Sequence, residues 1–325
     1  MRHTLLPLAV AAALAGCKSE NELVYTATLQ AETNGVVLSD DGLDGYAAMS
    51  GTTCTIDVNW GCPTADEDLP TDREAVVDQY GPETLGVSEL GLHSMVGGHW
   101  DAAADIDVPG VRTGRITDGG HLLLGSSDGA CWLQHDGDGQ VTVPDAACAD
   151  DAHHAVDRAN GTLFAGTARE LWALSPDGAV ALDARGPSDL LDWDPTADAL
   201  YVAGTGGRDL RALDGAGEEM WSVRTRDPVR DLVARGDRGE ALVLLHRDDG
   251  LGTIERRDGV TGRVLGRSVV PTADGHLVVS RNGVRVAIVR GDDVNFFALE
   301  TDGEDPVVDF PPPPTCITID QPSRD

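Results

Sequence analysis

The chain has 325 residues, and its 55 acidic side chains against 24 basic ones leave a formal net charge of −31 at pH 7. Phosphate backbones are gripped by clustered Lys and Arg, so a nucleic-acid partner is excluded. A hydrophobic share of 41% supports a core, while 39 Gly and 17 Pro point to many turns and few long helices.

The first segment is an address. Met1-Arg2-His3 opens with positive charge, and 4–15 is an Ala/Leu-rich apolar run of 12 residues, too short to span a bilayer and of the length of a secretory signal. Leu14-Ala15-Gly16-Cys17 resembles the lipobox of bacterial lipoproteins. That resemblance implies cleavage after residue 16, a diacylglycerol on the Cys17 thiol and a chain held to a membrane by its lipid, since each buried methylene contributes about 0.8 kcal/mol. Lys18 follows the cysteine, which by the same resemblance favours the outer membrane of the cell envelope. Residues 17–34 then read as a lipidated tether.

The next stretch is less regular. Segments 35–56 and 84–106 alternate apolar and small residues and read as strands. Between them 61–82 carries Asp66, Glu67, Asp68, Asp72 and Glu74 and reads as an acidic loop insertion, with a capped helical turn expected over 72–80. Residues 18–110 hold 18 acids and 2 bases, a charge density more than twice that of the remainder. Such density favours solubility, or a face for cations or a basic partner.

From residue 121 a repeat sets in. Segments 121–143, 162–182, 199–223, 241–269 and 285–308 share a short β-rich run, a turn, a second strand, an Asp-Gly-type turn and a third strand. With Leu123, Phe164, Tyr201, Val243 and Ala287 as equivalents, the steps are 41, 37, 42 and 44 residues. A period near 40 with several short strands per unit predicts a β-propeller, because one small sheet cannot bury both faces alone and radial stacking does. Helical repeats are excluded by runs of only five or six residues punctuated by glycine. Counting the two earlier segments, the ring has six to seven four-stranded blades over 35–310.

LWALSPDGAV, LRALDGAGEEMW and IERRDGVTGRVLG, at 171–180, 210–221 and 254–266, are similar to the repeats of pyrroloquinoline-quinone-type propellers, the type that also builds the propeller lipoprotein of the outer-membrane barrel-assembly machinery. Asp214, Asp258 and Thr261-Gly262 fit the turn of that pattern, Trp221 its terminal aromatic, and Gly266 stands where Trp is expected. The likeness spans about half the chain and implies the fold, with Trp172 and Trp221 expected between blades. Quinone enzymes of this kind use a vicinal Cys pair. This chain has none, so no cofactor is implied.

The candidate site residues are few. Past Cys17 the cysteines are Cys54, Cys62, Cys131, Cys148 and Cys316, and a secreted chain favours disulfides. Cys131 and Cys148 form one candidate pair. Cys54 pairs with Cys62, leaving Cys316 free, or Cys316 faces one of them across the seam of the ring. Metal spacing is absent. Asp136 and Asp138 sit in an Asp-Gly-Asp-Gly stretch like the middle of a calcium loop, but strand-like flanks and poor end ligands make a hairpin the expected structure and calcium a weak alternative. Gly125-Ser126-Ser127-Asp128-Gly129 fits a nucleophile motif, yet a strand rather than a helix follows, so a hairpin turn is expected. His153, His154 and Asp157, and His93 with His99, are at most halves of a metal site. The tail, 311–325, opens with four prolines, a stiff spacer, and ends in a strand-like piece that could pair near the start of the chain.

Fold, address and repeat together predict a lipid-anchored extracytoplasmic propeller that binds a protein partner. The rival is a propeller enzyme, a hydrolase, lactonase or oxidoreductase with an axial, calcium-assisted site. The two differ in whether the acids and histidines at blade starts open onto the axis.

Overall fold

The computed structural model describes the backbone of the strands between Leu23 and Thr142, and both backbone and side chains for most of 153–298. The strands form seven four-stranded antiparallel sheets. Six are meanders of consecutive strands, at 33–65, 76–104, 111–142, 153–182, 190–224 and 229–270, and are numbered here as blades 1 to 6. Blade 7 has three consecutive strands, His276–Val279, Arg285–Arg290 and Asp293–Ala298, and takes its fourth from the start of the chain. Leu23–Thr28 pairs antiparallel with Asp293–Ala298, from Leu23 opposite Phe297 to Thr28 opposite Asp293.

The first strand of each sheet is the innermost. Inner strands of neighbouring blades touch between blades 1 and 2, 2 and 3, 4 and 5, 5 and 6, 6 and 7, and again between 7 and 1. In such a meander the turns joining first to second and third to fourth strands gather at one end of the ring, and the remaining connections at the other.

The burial pattern explains why the sequence repeats. The second strands, Ala199–Ala203 and Glu240–His246, are almost continuously apolar because a neighbouring sheet covers each face. The outer strand Gly178–Leu182 is covered on one side only and is largely exposed. The core is therefore a series of layers, one per seam. Leu191, Trp193, Leu200 and Val202 meet Phe164 and Leu171 between blades 4 and 5. Tyr201, Leu210 and Trp221 meet Leu232, Val243 and Leu245 between blades 5 and 6. Leu242, Leu244 and Ile254 meet Val286, Ile288 and Phe297 between blades 6 and 7. Each fully buried side chain of this size contributes roughly 1.5–3 kcal/mol.

Five sequence expectations change. Residues 17–34 are not all tether, since Leu23–Thr28 is the outer strand of blade 7. The acidic insertion at 61–82 holds the outer strand of blade 1, Pro63–Ala65, and the inner strand of blade 2, Val76–Tyr80. The helical turn expected over 72–80 gives way there because β-branched Val76 and Val77 pair with Val87 and Gly86. Ring closure uses the N-terminal strand, and the strand-like piece of the tail lies outside the described residues. Finally, the repeat units began one strand late, because each inner strand precedes the run taken as its start.

Candidate functional site

Two places on the ring gather polar side chains. The first is the axis. Asp192, on the inner strand of blade 5, accepts a hydrogen bond from its neighbour Trp193 N (2.9 Å) and another, through Oδ2, from Ala234 N of blade 6 (2.7 Å). Asp231, on the inner strand of blade 6, repeats the device one seam on. Its Oδ1 accepts from Leu232 N (2.8 Å) and its Oδ2 from Leu277 N of blade 7. Burial pushes the Asp231 carboxyl up from the usual range, opposed by the Leu277 bond and by the charge of His276. His276 Nδ1 lies 3.8 Å from Asp231 Oδ2 while most of that imidazole faces solvent, and His153, on the inner strand of blade 4, acts on the same carboxylate. Acids and histidines thus do converge here. The carboxylates, however, are held by backbone N–H groups of the next blade and tie inner strand to inner strand. Among the described residues no group of three or more His, Cys, Asp and Glu is placed to hold a metal ion.

The second place lies at the opposite end of the ring, between blades 4 and 5, where a cavity of about 410 Å³ opens. Its walls come from turns. Asp157 ends the inner strand of blade 4 and Asn160 follows it, Asp198 follows the inner strand of blade 5, and Asp214 starts the turn to the outer strand of blade 5. Asp157 accepts from Asn160 N (3.2 Å) and Nδ2 (2.7 Å). Asp214 Oδ1 accepts from Ala216 N (3.0 Å) and Glu218 N (2.8 Å), which leaves Oδ2 open. Phe164 and Trp193 also line the cavity and stack on one another, with ring centroids 5.2 Å apart and planes at 22°.

The residues singled out from the sequence are scattered. His153 and Asp157 sit at opposite ends of one five-residue strand, roughly 13 Å apart, so they share no site. Ser126 and Gly129 pair directly, which makes the Ser127 stretch a hairpin connection and not a strand-to-helix elbow. The strands flanking Asp136 and Asp138 pair antiparallel, Leu133 opposite Gln140, while the two aspartates lie outside the described residues. Cys54 is on the third strand of blade 1 and Cys131 on the third strand of blade 3. Cys17, Cys62, Cys148 and Cys316 lie outside the described residues. Trp221 packs between blades as expected, its Nε1 donating to Gly259 O of blade 6 (2.7 Å). Trp172 does not. It is half-buried on a third strand, with Nε1 donating to Glu170 of its own blade (3.3 Å), because it occupies the register of Arg211 and not that of Trp221. The cavity residues Asn160, Asp198 and Asp214 went unnoticed as a site, since turns of two blades supply them and no spacing in the chain joins them.

No protein-family profile and no curated protein sequence matches the chain. Solved structures do. A chain of the mitotic checkpoint complex superposes with a TM-score of 0.65 at 12% identity, covering 93% of this chain and 99% of that one. The β-propeller domain of Cps50 (Swd1) from Myceliophteria thermophila gives 0.66 at 11% identity, over 86% of this chain and all of that domain. The fold is a β-propeller. BamB from Moraxella catarrhalis, at 18% identity and a TM-score of 0.50 over 82% of each chain, shares the propeller architecture.

Proposed function

We propose that this propeller is an outer-membrane lipoprotein, anchored through Cys17, that works as a protein-binding scaffold on the extracytoplasmic side of the envelope. The observation that carries the scaffold reading is the use made of the axial carboxylates. Asp192 and Asp231 bind backbone N–H groups of the next blade, so the described inner strands present no open carboxylate to a substrate. That gives the described axial carboxylates a structural task and turns attention to the two ends of the ring. The address rests on the apolar run and Leu14-Ala15-Gly16-Cys17. The likeness to BamB and the quinone-type repeats lends the analogy of a scaffold lipoprotein, on fold and address alone.

The test is crosslinking in intact envelopes followed by capture of the tagged chain from detergent extracts, with Cys17→Ser in parallel. The wild type should sediment with membranes and bring down a protein in fixed ratio, and Cys17→Ser should move to the soluble fraction. A variant that stays in the salt-washed pellet contradicts the anchor. Recovery of the chain alone contradicts the scaffold.

A further inference from the structure

We infer that Asn160, on the turn between the first two strands of blade 4, is a deamidation site held in check by Asp157. An asparagine followed by glycine is prone to lose its side-chain amide, because Gly161 has no Cβ to shield its own backbone nitrogen. In that reaction the Gly161 nitrogen gives up its proton and attacks Asn160 Cγ. The Cγ–Nδ2 bond breaks, ammonia leaves with the proton, and the succinimide takes up water to give aspartate or isoaspartate. Three features of the turn favour it. Asn160 is exposed, it lines the open cavity of about 410 Å³ that lets water in, and the Gly161 N–H donates no hydrogen bond among the described residues.

One carboxylate stands against the reaction. Asp157 Oδ1 accepts from Asn160 N (3.2 Å) and Oδ2 from Asn160 Nδ2 (2.7 Å), so the backbone and the side chain of one residue are fixed together. The corresponding turn of blade 5 separates the two bonds. There Asp194 Oδ1 accepts from Ala197 N (3.0 Å), and left-handed Asp198 (φ 52°) stands where blade 4 has Gly161 (φ 66°). The backbone bond thus belongs to the turn, and the Nδ2 bond is what Asn160 adds. That bond fixes the side-chain torsions that ring closure has to change. The charge of Asp157, reinforced by Asp198 and Asp214 on the same cavity wall, also opposes ionisation of the Gly161 N–H, the form that attacks. The product undoes the turn. Aspartate at 160 has no donor and sets a second carboxylate against Asp157, while isoaspartate adds a backbone carbon to a turn whose ends, Asp157 and Thr162, are paired. Either one opens the inner hairpin of blade 4.

The test incubates the mature chain at mildly alkaline pH, in buffer and in urea. Mass spectrometry follows the tryptic peptide 159–169, in which Asn160 is the only asparagine, for conversion of amide to acid and for isoaspartate. The Asn34–Gly35 pair of blade 1 is the reference within each sample. Asn160 should convert about tenfold or more slowly in the native chain than in urea, the factor expected of one hydrogen bond to a charged acceptor. Asp157→Ala should raise the native rate at Asn160 by about that factor and leave Asn34 unchanged. Asp157→Asn, which keeps a neutral acceptor for the turn, should raise it severalfold, and it decides the matter if Asp157→Ala speeds Asn34 as well. A native rate equal to that in urea, or no acceleration at Asn160 in Asp157→Asn, overturns the inference. Asn160→Asp installs the product directly and should lower the urea midpoint, and an unchanged midpoint refutes the opening of the hairpin.

Discussion

Asp194 shows how tightly single side chains are held in this ring. It is fully buried at the end of the inner strand of blade 5, where Tyr201 donates its hydroxyl hydrogen at 2.6 Å, and Thr196 and Ala197 donate backbone N–H at 2.8 and 3.0 Å. Burial raises the carboxyl's pKa, and those three bonds only partly offset it. The folded chain therefore holds a proton on Asp194 at a pH where the unfolded chain has released it. The contribution to stability is complete below the unfolded value near 4 and declines as pH rises through the folded one. The net charge of −31 acts in the same direction, so the wild type alone cannot separate the two. Asp194→Asn does, being isosteric and uncharged. Its urea midpoint should match the wild type near pH 4 and gain on it by pH 8, and parallel pH profiles would refute a raised Asp194. Gly259 belongs to the same small assembly, because a Cβ there would collide with the Tyr201 hydroxyl oxygen.

At the scale of the strand pair, the repeats trade bulk across a fixed register. Ala212 opposes Trp221 in blade 5, and Arg256 opposes Gly266 in blade 6. The place that Trp would fill in blade 6 is taken from the other side, since a Cβ on Gly266 would lie 3.6 Å from Arg256 Nε. The missing tryptophan is thus an exchange within one pair, invisible along the chain because the partners are ten residues apart. Trp221 itself is clamped, with Gly262 at φ +68° so close that a Cβ would come 2.7 Å from Cε3. Trp221→Ala should cost about 3–5 kcal/mol in urea unfolding, whereas half-buried Trp172→Ala should cost under about 1 kcal/mol. Equal losses would contradict the difference in packing. The turns were legible for a plain reason. Asp258 accepts from Thr261 N (2.8 Å) and Oγ1 (2.6 Å), local bonds that need those residues at that spacing, and the hydroxyl bond foremost holds the Asp258 carboxyl below its usual range. The inter-blade ties of Asp192 and Asp231 were not legible, because their acceptors serve backbone groups that any residue carries.

For the molecule as a whole, a period near 40 was enough to announce the ring, since every unit meets the same two neighbours. Its closure was hidden, because LVYTAT at 23–28 shows nothing in sequence that assigns it to residues some 270 positions away. Removing 23–28 leaves blade 7 with three strands and an open edge. That truncation should lower the thermal midpoint by about 10 °C or more, given the loss of a strand worth several kcal/mol, and an unchanged midpoint would refute the pairing. The same pairing sets the order of folding. Leu23–Thr28 is separated from its partner Asp293–Ala298 by about 270 residues, so their pairing is the longest-range contact of the ring's closure. Until they meet, the other sheets can form by local meanders while the ring stays an open arc with an unpaired strand. The rate of reaching the native state is then governed by one long-range encounter between the two ends of the chain, and loop closure on this scale slows folding far more than it weakens the finished protein.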